Sequence, residues 1–398
     1  MERTNKKYRM SRRGFLKGAG AALVLVAGGG VWRATDQGVF DTGQGPAYEP
    51  WENWREASGG GGPFSLVSSA ILASNPHNSQ PWLFRVEESR IDLFADRQRN
   101  IGAMDPFLRE MYIGLGCALE NLLLAAEANG YGYDLTLVPN GSDPTHAARI
   151  ELSPGETIVS ELYETIPDRH TDRAAYDTER PIRAGTLDAL GNLAREDPAV
   201  EVLWFAGEEQ RRLVGNLIVR ATEAIIADEE QSHDSHEWFR HDWDELQRNR
   251  YRDGVTIDTS GNPALTRAAA KMLPSLSAEQ SNGYWLDGTK EGVRTAAAFG
   301  IITVGDGRND EQRMRAGRLW QRMHLWATKE GLAMQPENQL NERDDREAQL
   351  GVEPVFGDAM RELVGDPRRQ GIFAFRLGYP TTEVLRSPRR AVEEVTVV

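Results

Sequence analysis

Ser74-Asn75-Pro76-His77-Asn78-Ser79-Gln80-Pro81-Trp82 is the stretch on which the reading of this chain turns. Pro76 has no backbone N–H and disfavours a helical residue before it, so the helix expected over residues 64–73 breaks at Asn75-Pro76. Asn78 and Gln80 each present an amide donor and a carbonyl acceptor, just ahead of the Gln80-Pro81 step. Such amides cap turns. The same groups can read a ligand edge on which donors and acceptors alternate. Trp82–Val86 and Arg90–Ala95, on either side of polar residues 87–89, then read as a hairpin.

Working outward, residues 116–129 form a strongly amphipathic helix, with Leu119, Leu122, Leu123 and Ala126 on one face and Gly130 as its stop. Residues 186–195, 208–228 and 313–330 also read as helices, and 200–205, 301–304 and 372–377 as buried strands. Helices dominate and the strands do not alternate with them regularly, which favours an α+β sandwich over a doubly wound sheet. Gly116, Leu124, Ala126 and Gly130 recur at the same spacing as Gly317, Leu325, Ala327 and Gly331, which raises two related half-units in one chain.

The chain has 398 residues with a formal charge of −14, more acidic still once the basic residues 1–33 are set aside. Such a field repels nucleic acid. Cys117 is the only cysteine, so an internal disulfide, a thiolate zinc site and an iron–sulfur cluster are all excluded. No stretch reads as a stable membrane span. Residues 1–17 are basic and 19–32 form a short Gly/Ala/Val-rich apolar run, the layout of an export signal. Within it, Ser11-Arg12-Arg13-Gly14-Phe15-Leu16-Lys17 resembles the twin-arginine motif. Residues 1–33 are therefore expected to address the chain, through the twin-arginine translocase, to the periplasm or another extracytoplasmic space. The cleavage site is left open. That route carries proteins already folded, often around a cofactor. Residues 34–62, ending in four glycines before Pro63, read as a flexible linker.

The Asn-x-Gln-Pro-Trp core and the strand after it resemble the signature of the nitroreductase-like, FMN-binding family; Ser74-Asn75 stands where that family has Pro-Ser. With Asp105, Arg109-Glu110 and the Gly-Cys helix, the chain looks most like the Acg-like branch, in which the usual homodimer is fused into one chain. Arg169-His170-Thr171-Asp172-Arg173 is similar to the family's phosphate motif, Gln335-Pro336-Glu337 to the turn beside the reactive edge of the flavin, and Arg386 through Arg390 to its basic tail. The resemblance implies a nitroreductase-like α+β fold with a first half at 63–160 and a second at 161–398, and an insertion near 231–292 that can serve as a lid. It also implies one complete FMN site at the junction and a degenerate second one. A monomeric pseudo-dimer is expected, since fusion supplies both halves.

For FMN, the phosphate calls for arginines, which stay charged and bind bidentately: Arg169, Arg173, Arg389, and Arg386 or Arg390, with Thr171 adding a hydroxyl. Asn78 first, then Gln80, with Ser74 and Asn75 as neighbours, are expected on the pyrimidine edge. A backbone N–H within 334–337, beside Gln335 and Pro336, would face the reactive nitrogen. No catalytic side chain and no metal ligand is assigned; His233, His236 and His241 lack zincin spacing and read as a solvated acidic helix. Cys117 reads as a small buried hydrophobe. The implied activity is an exported FMN-dependent oxidoreductase passing hydride or electrons to a nitro, quinone or similar small acceptor. The alternative is a flavin-binding or storage protein with a covered, inactive site, credible because free NAD(P)H is scarce outside the cytoplasmic membrane.

Overall fold

The computed structural model describes residues 34–35, 39–55, 62–240, 252–273 and 276–397. The twin-arginine segment, most of the glycine run, His241 and part of the expected lid lie outside the described residues.

After a short helix α1 (Glu49–Glu52), α2 (Phe64–Ala70) leads into the Ser74–Trp82 stretch. There the chain makes a 3-10 turn over Pro76–Asn78 and takes left-handed backbone angles at His77, Asn78 and Gln80 (φ 47°, 55° and 53°). Each costs about 1 kcal/mol or more and persists only where surrounding contacts over-determine it. The hairpin follows as expected, β1 (Trp82–Val86) and β2 (Arg90–Ala95).

Helix α3 spans Arg109–Ala128, starting well before the expected residue 116. The Asp105 carboxylate explains the earlier start: it accepts from the Glu110 and Met111 N–H groups at 3.1 and 2.9 Å, satisfying donors that a helix start leaves free. Against the expectation that no stretch could span a membrane, this helix is long and apolar enough to do so; it is instead buried in the core. Gly130 ends it at φ 77°. Two strands not anticipated follow, β3 (Tyr131–Leu137) and β4 (His146–Pro154).

The second half contains α4 (Glu161–Glu164), α5 (Thr186–Asn192), β5 (Glu201–Phe205), α6 (Glu208–Ala227), α7 (Glu229–Glu237), β6 (Phe239–Arg240), β7 (Val255–Thr256), α8 (Ala264–Met272) and α9 (Ala278–Thr295). It continues with β8 (Ala298–Val304), α10 (Asp310–Lys329), β9 (Ala333–Pro336), α11 (Gln339–Leu350), α12 (Val355–Val364), β10 (Gln370–Gly378), α13 (Val392–Val395) and β11 (Thr396–Val397). Strand β5 is only half-buried, not a buried strand as expected, because it lies at an edge with β8 as its sole neighbour.

The architecture is α+β, and its topology repeats. One sheet runs β11-β1-β2-β4-β3 and the other β5-β8-β10-β9. Apart from β11, the two orders match position for position, and every neighbouring pair in the matched part is antiparallel. In each half a long helix, α3 or α10, lies between the second and third strands along the chain. These helices pack together in a core cluster that draws on both halves. Strand β11 carries the end of the described chain back to the first sheet, parallel to β1 through Phe84 and Thr396.

Candidate functional site

Two adjoining hollows share Ser74, Asn75, Thr171, Arg173 and Val255. The larger is a cavity of about 540 Å³, within the range of small-molecule and cofactor sites. Helix α3 faces it with Glu110, Ile113, Gly114 and Cys117, a spacing that keeps all four on one helical face. Trp320 and Phe373 add apolar wall, and Gln335, Pro336, Asn338, Gln339 and Glu342 add a polar one. The region expected to form a lid does line this cavity, through His236, Phe239, Val255, Ile257, Tyr284 and Trp285.

The smaller hollow, about 30 Å³, is lined by Asn78, Arg169, His170, Thr171, Arg173, Ser387 and Arg389 among others. Arg169 and Arg389 are each almost wholly buried, and among the described residues no carboxylate forms an ion pair with either. Arg169 donates to Leu72 O at 2.8 Å, and Arg389 reaches the same carbonyl at 3.4 Å and Ala73 O at 3.3 Å. The Nε of both is buried without a hydrogen-bond partner. Burial lowers the Arg169 pKa to about 10. Burial, then Arg169, lowers that of Arg389 well below its ordinary value. Two buried like charges without a counter-ion are costly, so this pocket fits an anion of more than one charge, held by orphaned N–H donors. Arg173 completes it from the cavity side, donating to Thr259 O at 3.1 Å.

A strap from the N-terminal side packs against residues of this pocket. Ala47 O accepts from the Arg389 N–H at 2.7 Å, and Trp51 Nε1 donates to Ser387 O at 2.8 Å. The Arg389 guanidinium lies 4.8 Å from the centre of the Trp51 ring, which also meets the His170 ring edge-on at 4.7 Å. Burial, then Arg169, pushes His170 and His324 well below the ordinary imidazole range, so both are neutral at pH 7. Neither Trp51 nor His324 carries a sequence signal beyond its residue type.

Several expected site residues do other work. The Asn78 amide nitrogen donates to Gly254 O and Pro388 O at 3.1 and 2.9 Å, and its oxygen accepts from Arg389. Its amide is thus fully engaged at the anion end, and it does not face a ring edge in the larger cavity. Gln80, wholly buried, lines neither hollow; it donates to Arg252 O at 2.8 Å and accepts from the Arg390 N–H at 2.8 Å. Gln80 therefore staples the tail. Arg390 donates to Glu394 O, and Arg386 reaches outward to Glu52 at 3.7 Å, so neither lines the anion pocket. Asn75 lines both hollows but spends its oxygen on the Gln80 N–H at 2.7 Å. Ser74 also lines both, its hydroxyl accepting from Trp320 Nε1 at 3.1 Å.

Gln335 and Pro336 do line the cavity, with Gln335 Oε1 accepting from Arg376 Nε at 2.9 Å. Within the expected 334–337 segment, Pro336 has no N–H and the Glu337 N–H is donated to Ala374 O at 2.8 Å, which removes both as donors. His233 is exposed, as a solvated helix requires, whereas His236 lines the cavity. Cys117 is buried as expected, and burial raises its thiol pKa.

A carboxyl pair escaped the sequence reading. Glu110 of α3 and Glu342 of α11 line the cavity, are more than nine-tenths buried, and are electrostatic neighbours. Burial pushes Glu110 up to about 7 and Glu342 well above the carboxylate range, the latter further by the neighbouring Glu110. Glu342 Oε2 has no hydrogen-bond partner.

No protein-family model matches the chain. Over 116 residues it is 35% identical to a Mycobacterium tuberculosis protein provisionally named NAD(P)H nitroreductase acg, across 28% of this chain and 35% of that one. Over 184 residues it is 24% identical to a Serratia protein provisionally named NAD(P)H nitroreductase PigM, across 44% of this chain and 51% of that one. The chain spans about a third to a half of the length of these curated relatives. Among solved structures, the FMN-dependent nitroreductase NfnB from Mycobacterium smegmatis, in complex with NADPH, is 18% identical at a TM-score of 0.35, covering 60% of this chain and 97% of that one. The FMN and NADPH-dependent nitroreductase NfnB from a Sphingopyxis strain is 16% identical at a TM-score of 0.37, covering 59% and 96%. Superposition at that level decides nothing about this chain.

Proposed function

We propose that this chain is an FMN-dependent oxidoreductase of nitroreductase type, folded as two fused nitroreductase-like halves. The phosphate would sit on Arg169, Arg173, Thr171 and Arg389, and the ring in the adjoining cavity. One observation carries the reading: two buried guanidiniums without a counter-charge line a small pocket that adjoins a cavity of cofactor size. A near-dianionic phosphate ester supplies the missing charge and accepts from the orphaned N–H groups. The repeated strand order, the Asn-x-Gln-Pro-Trp segment and the names of the curated relatives point the same way.

FMN, when bound, supplies a two-electron carrier. The chain's own residues hold and enclose it. Arg169 and Arg389 would fix the anion, Trp51 packs on the Arg389 guanidinium, and Trp320, Tyr284 and Trp285 would wall the ring. The acceptor class is a small nitro or quinone compound. Residues 11–32 support export by the twin-arginine translocase, and the fused halves support a monomer.

A second reading, a flavin-storage protein, is favoured by the extra walls that β7, the turn at Ile257 and α9 add to the cavity. The visible spectrum and flavin content per chain test cofactor binding. A colourless protein that takes up no added FMN would sink both readings. Rapid NAD(P)H reduction would sink the storage reading, and a flavin inert to nicotinamide and acceptors would sink the enzyme.

A further inference from the structure

Glu110 and Glu342 belong to the large cavity and not to the anion pocket, so anchoring a phosphate makes no use of them. They come from different halves of the chain and meet across the α3–α11 contact. Two carboxyl groups buried on the wall of one cavity do not both ionise, so the pair keeps a proton. The surroundings retain that proton. Arg109 faces the pair from α3, 3.3 Å from Glu110 Oε1, but it also holds Asp345 of α11 at 2.7 Å. Arg308 approaches Asp345 at 3.3 Å, and Asp344 adds a further carboxyl. Asp105 faces the pair from the turn before α3, with both oxygens committed to the helix start. From α7, the neutral Gln231 donates to the Glu342 backbone carbonyl at 3.3 Å. Carboxylates thus outnumber guanidiniums, and like charges in so small a volume do not all ionise. Glu342 Oε2 is buried and has no hydrogen-bond partner, so a proton carried there is committed to no protein acceptor.

We infer that the Glu110–Glu342 carboxyl pair is the proton donor to the electron acceptor in this cavity, an inference that rests on reading the chain as a flavin-dependent oxidoreductase. A quinone that takes up two electrons and one proton as hydride becomes the hydroquinone only on gaining a second proton. The two electrons come from the reduced cofactor, which is oxidised. The second proton comes from the carboxyl O–H of the pair, whose bond breaks as the quinone oxygen gains its hydrogen. The pair is left doubly charged and regains its proton from solvent. A nitro group reduced to nitroso takes up two electrons and two protons and loses water, and draws on the pair in the same way.

The test uses the flavin-loaded protein, reduced with dithionite and mixed with menadione from about pH 5 to about pH 9. Glu110→Gln and Glu342→Gln are expected to slow oxidation at neutral pH by about 100-fold, as loss of a general acid does, and to abolish the pH dependence near neutrality. Glu342→Asp should restore part of the rate. In the flavin-free protein, infrared spectra should show a carboxylic-acid C=O band persisting at neutral pH and missing from both Gln variants. A wild type that menadione oxidises, with variants matching it in rate and pH profile, overturns the proposal alone. A wild-type flavoprotein that neither menadione nor a nitroaromatic oxidises overturns the reading of function and this proposal together.

Discussion

Gly116 of α3 and Gly317 of α10 touch the opposite helix in reciprocal fashion. A Cβ at Gly116 would lie 2.1 Å from Met314 O, and a Cβ at Gly317 would lie 2.0 Å from Ile113 O. The offset that carries Gly116 onto Gly317 also carries Ile113 onto Met314, so the two contacts are one contact seen from each half. Such reciprocity is the mark of an isologous interface, here closed within a single chain. Gly317→Ala should force the helices apart and cost about 3 kcal/mol, in the range of severe overpacking. Urea denaturation measures this; an unshifted midpoint would mean that the helices do not cross here.

Arg389→Met should act in opposite directions on the two forms of the protein. Without ligand it removes an uncompensated buried cation, so the flavin-free protein should gain about 1 kcal/mol or more. It should also weaken FMN binding by about ten- to a hundredfold, the worth of a charge-assisted hydrogen bond. Thermal melts with and without FMN read both signs; loss of stability in the two forms alike would make Arg389 merely structural.

Trp51→Ala opens the strap over the same guanidinium without touching the phosphate contacts. FMN release should accelerate by about tenfold, consistent with a partly desolvated cation–π contact of about 1–2 kcal/mol. The recovery of flavin fluorescence on dilution gives the rate. Unchanged release would show that the strap stands aside while the cofactor leaves.

His170 and His324 make flavin-free stability sensitive to acid. Their folded pKa values lie below the unfolded ones, so from about pH 6.5 downward the unfolded chain binds protons that the folded one refuses. Stability should therefore fall by up to about 1.4 kcal/mol per pH unit for each histidine. The opposite slope comes from Glu110 and Glu342, whose raised values favour the folded state at low pH and lose that contribution as pH rises through about 7. A melting temperature with a broad maximum between about pH 4.3 and 6.5, where the two slopes offset, and an acid side that flattens in His324→Asn, check both signs.

Arg12→Lys with Arg13→Lys should retain the protein in the cytoplasm of a host with an intact twin-arginine pathway. Fractionation decides it, and unchanged export would assign residues 1–33 another role.

What the sequence disclosed depended on local punctuation. Pro76, Gly130 and the polar residues 87–89 mark ends within a few residues of the atoms they affect, so the hairpin and the helix stop were legible. The start of α3 was not, because its cap, Asp105, acts across a loop in which Leu108 takes a left-handed φ of 60°. Strands β3 and β4 were missed because β3 is mostly half-buried and carries no apolar run. The arginines of 169–173 and 389 were named from their type and order. Asn78 and Gln80 were expected on a ligand edge, but their amides are spent on Gly254, Pro388, Arg252 and the Arg390 N–H, and an amide that staples a tail has the same composition as one that reads a ligand. The Glu110–Glu342 pair exists only once two helices distant in sequence meet, and nothing in either neighbourhood announces the other.

The anion pocket also has an order of assembly. A ribosome delivers Trp51 and Leu72 first, Arg169 and Arg173 later, and Ser387 and Arg389 last. At about 5–20 residues per second, about ten to forty seconds separate Arg169 from Arg389. During that interval the nascent first half has neither Arg389 nor β11 to complete its sheet. On the proposed function, flavin capture follows synthesis of the tail, and a chain that stops short of Arg389 should emerge colourless even with every earlier residue in place.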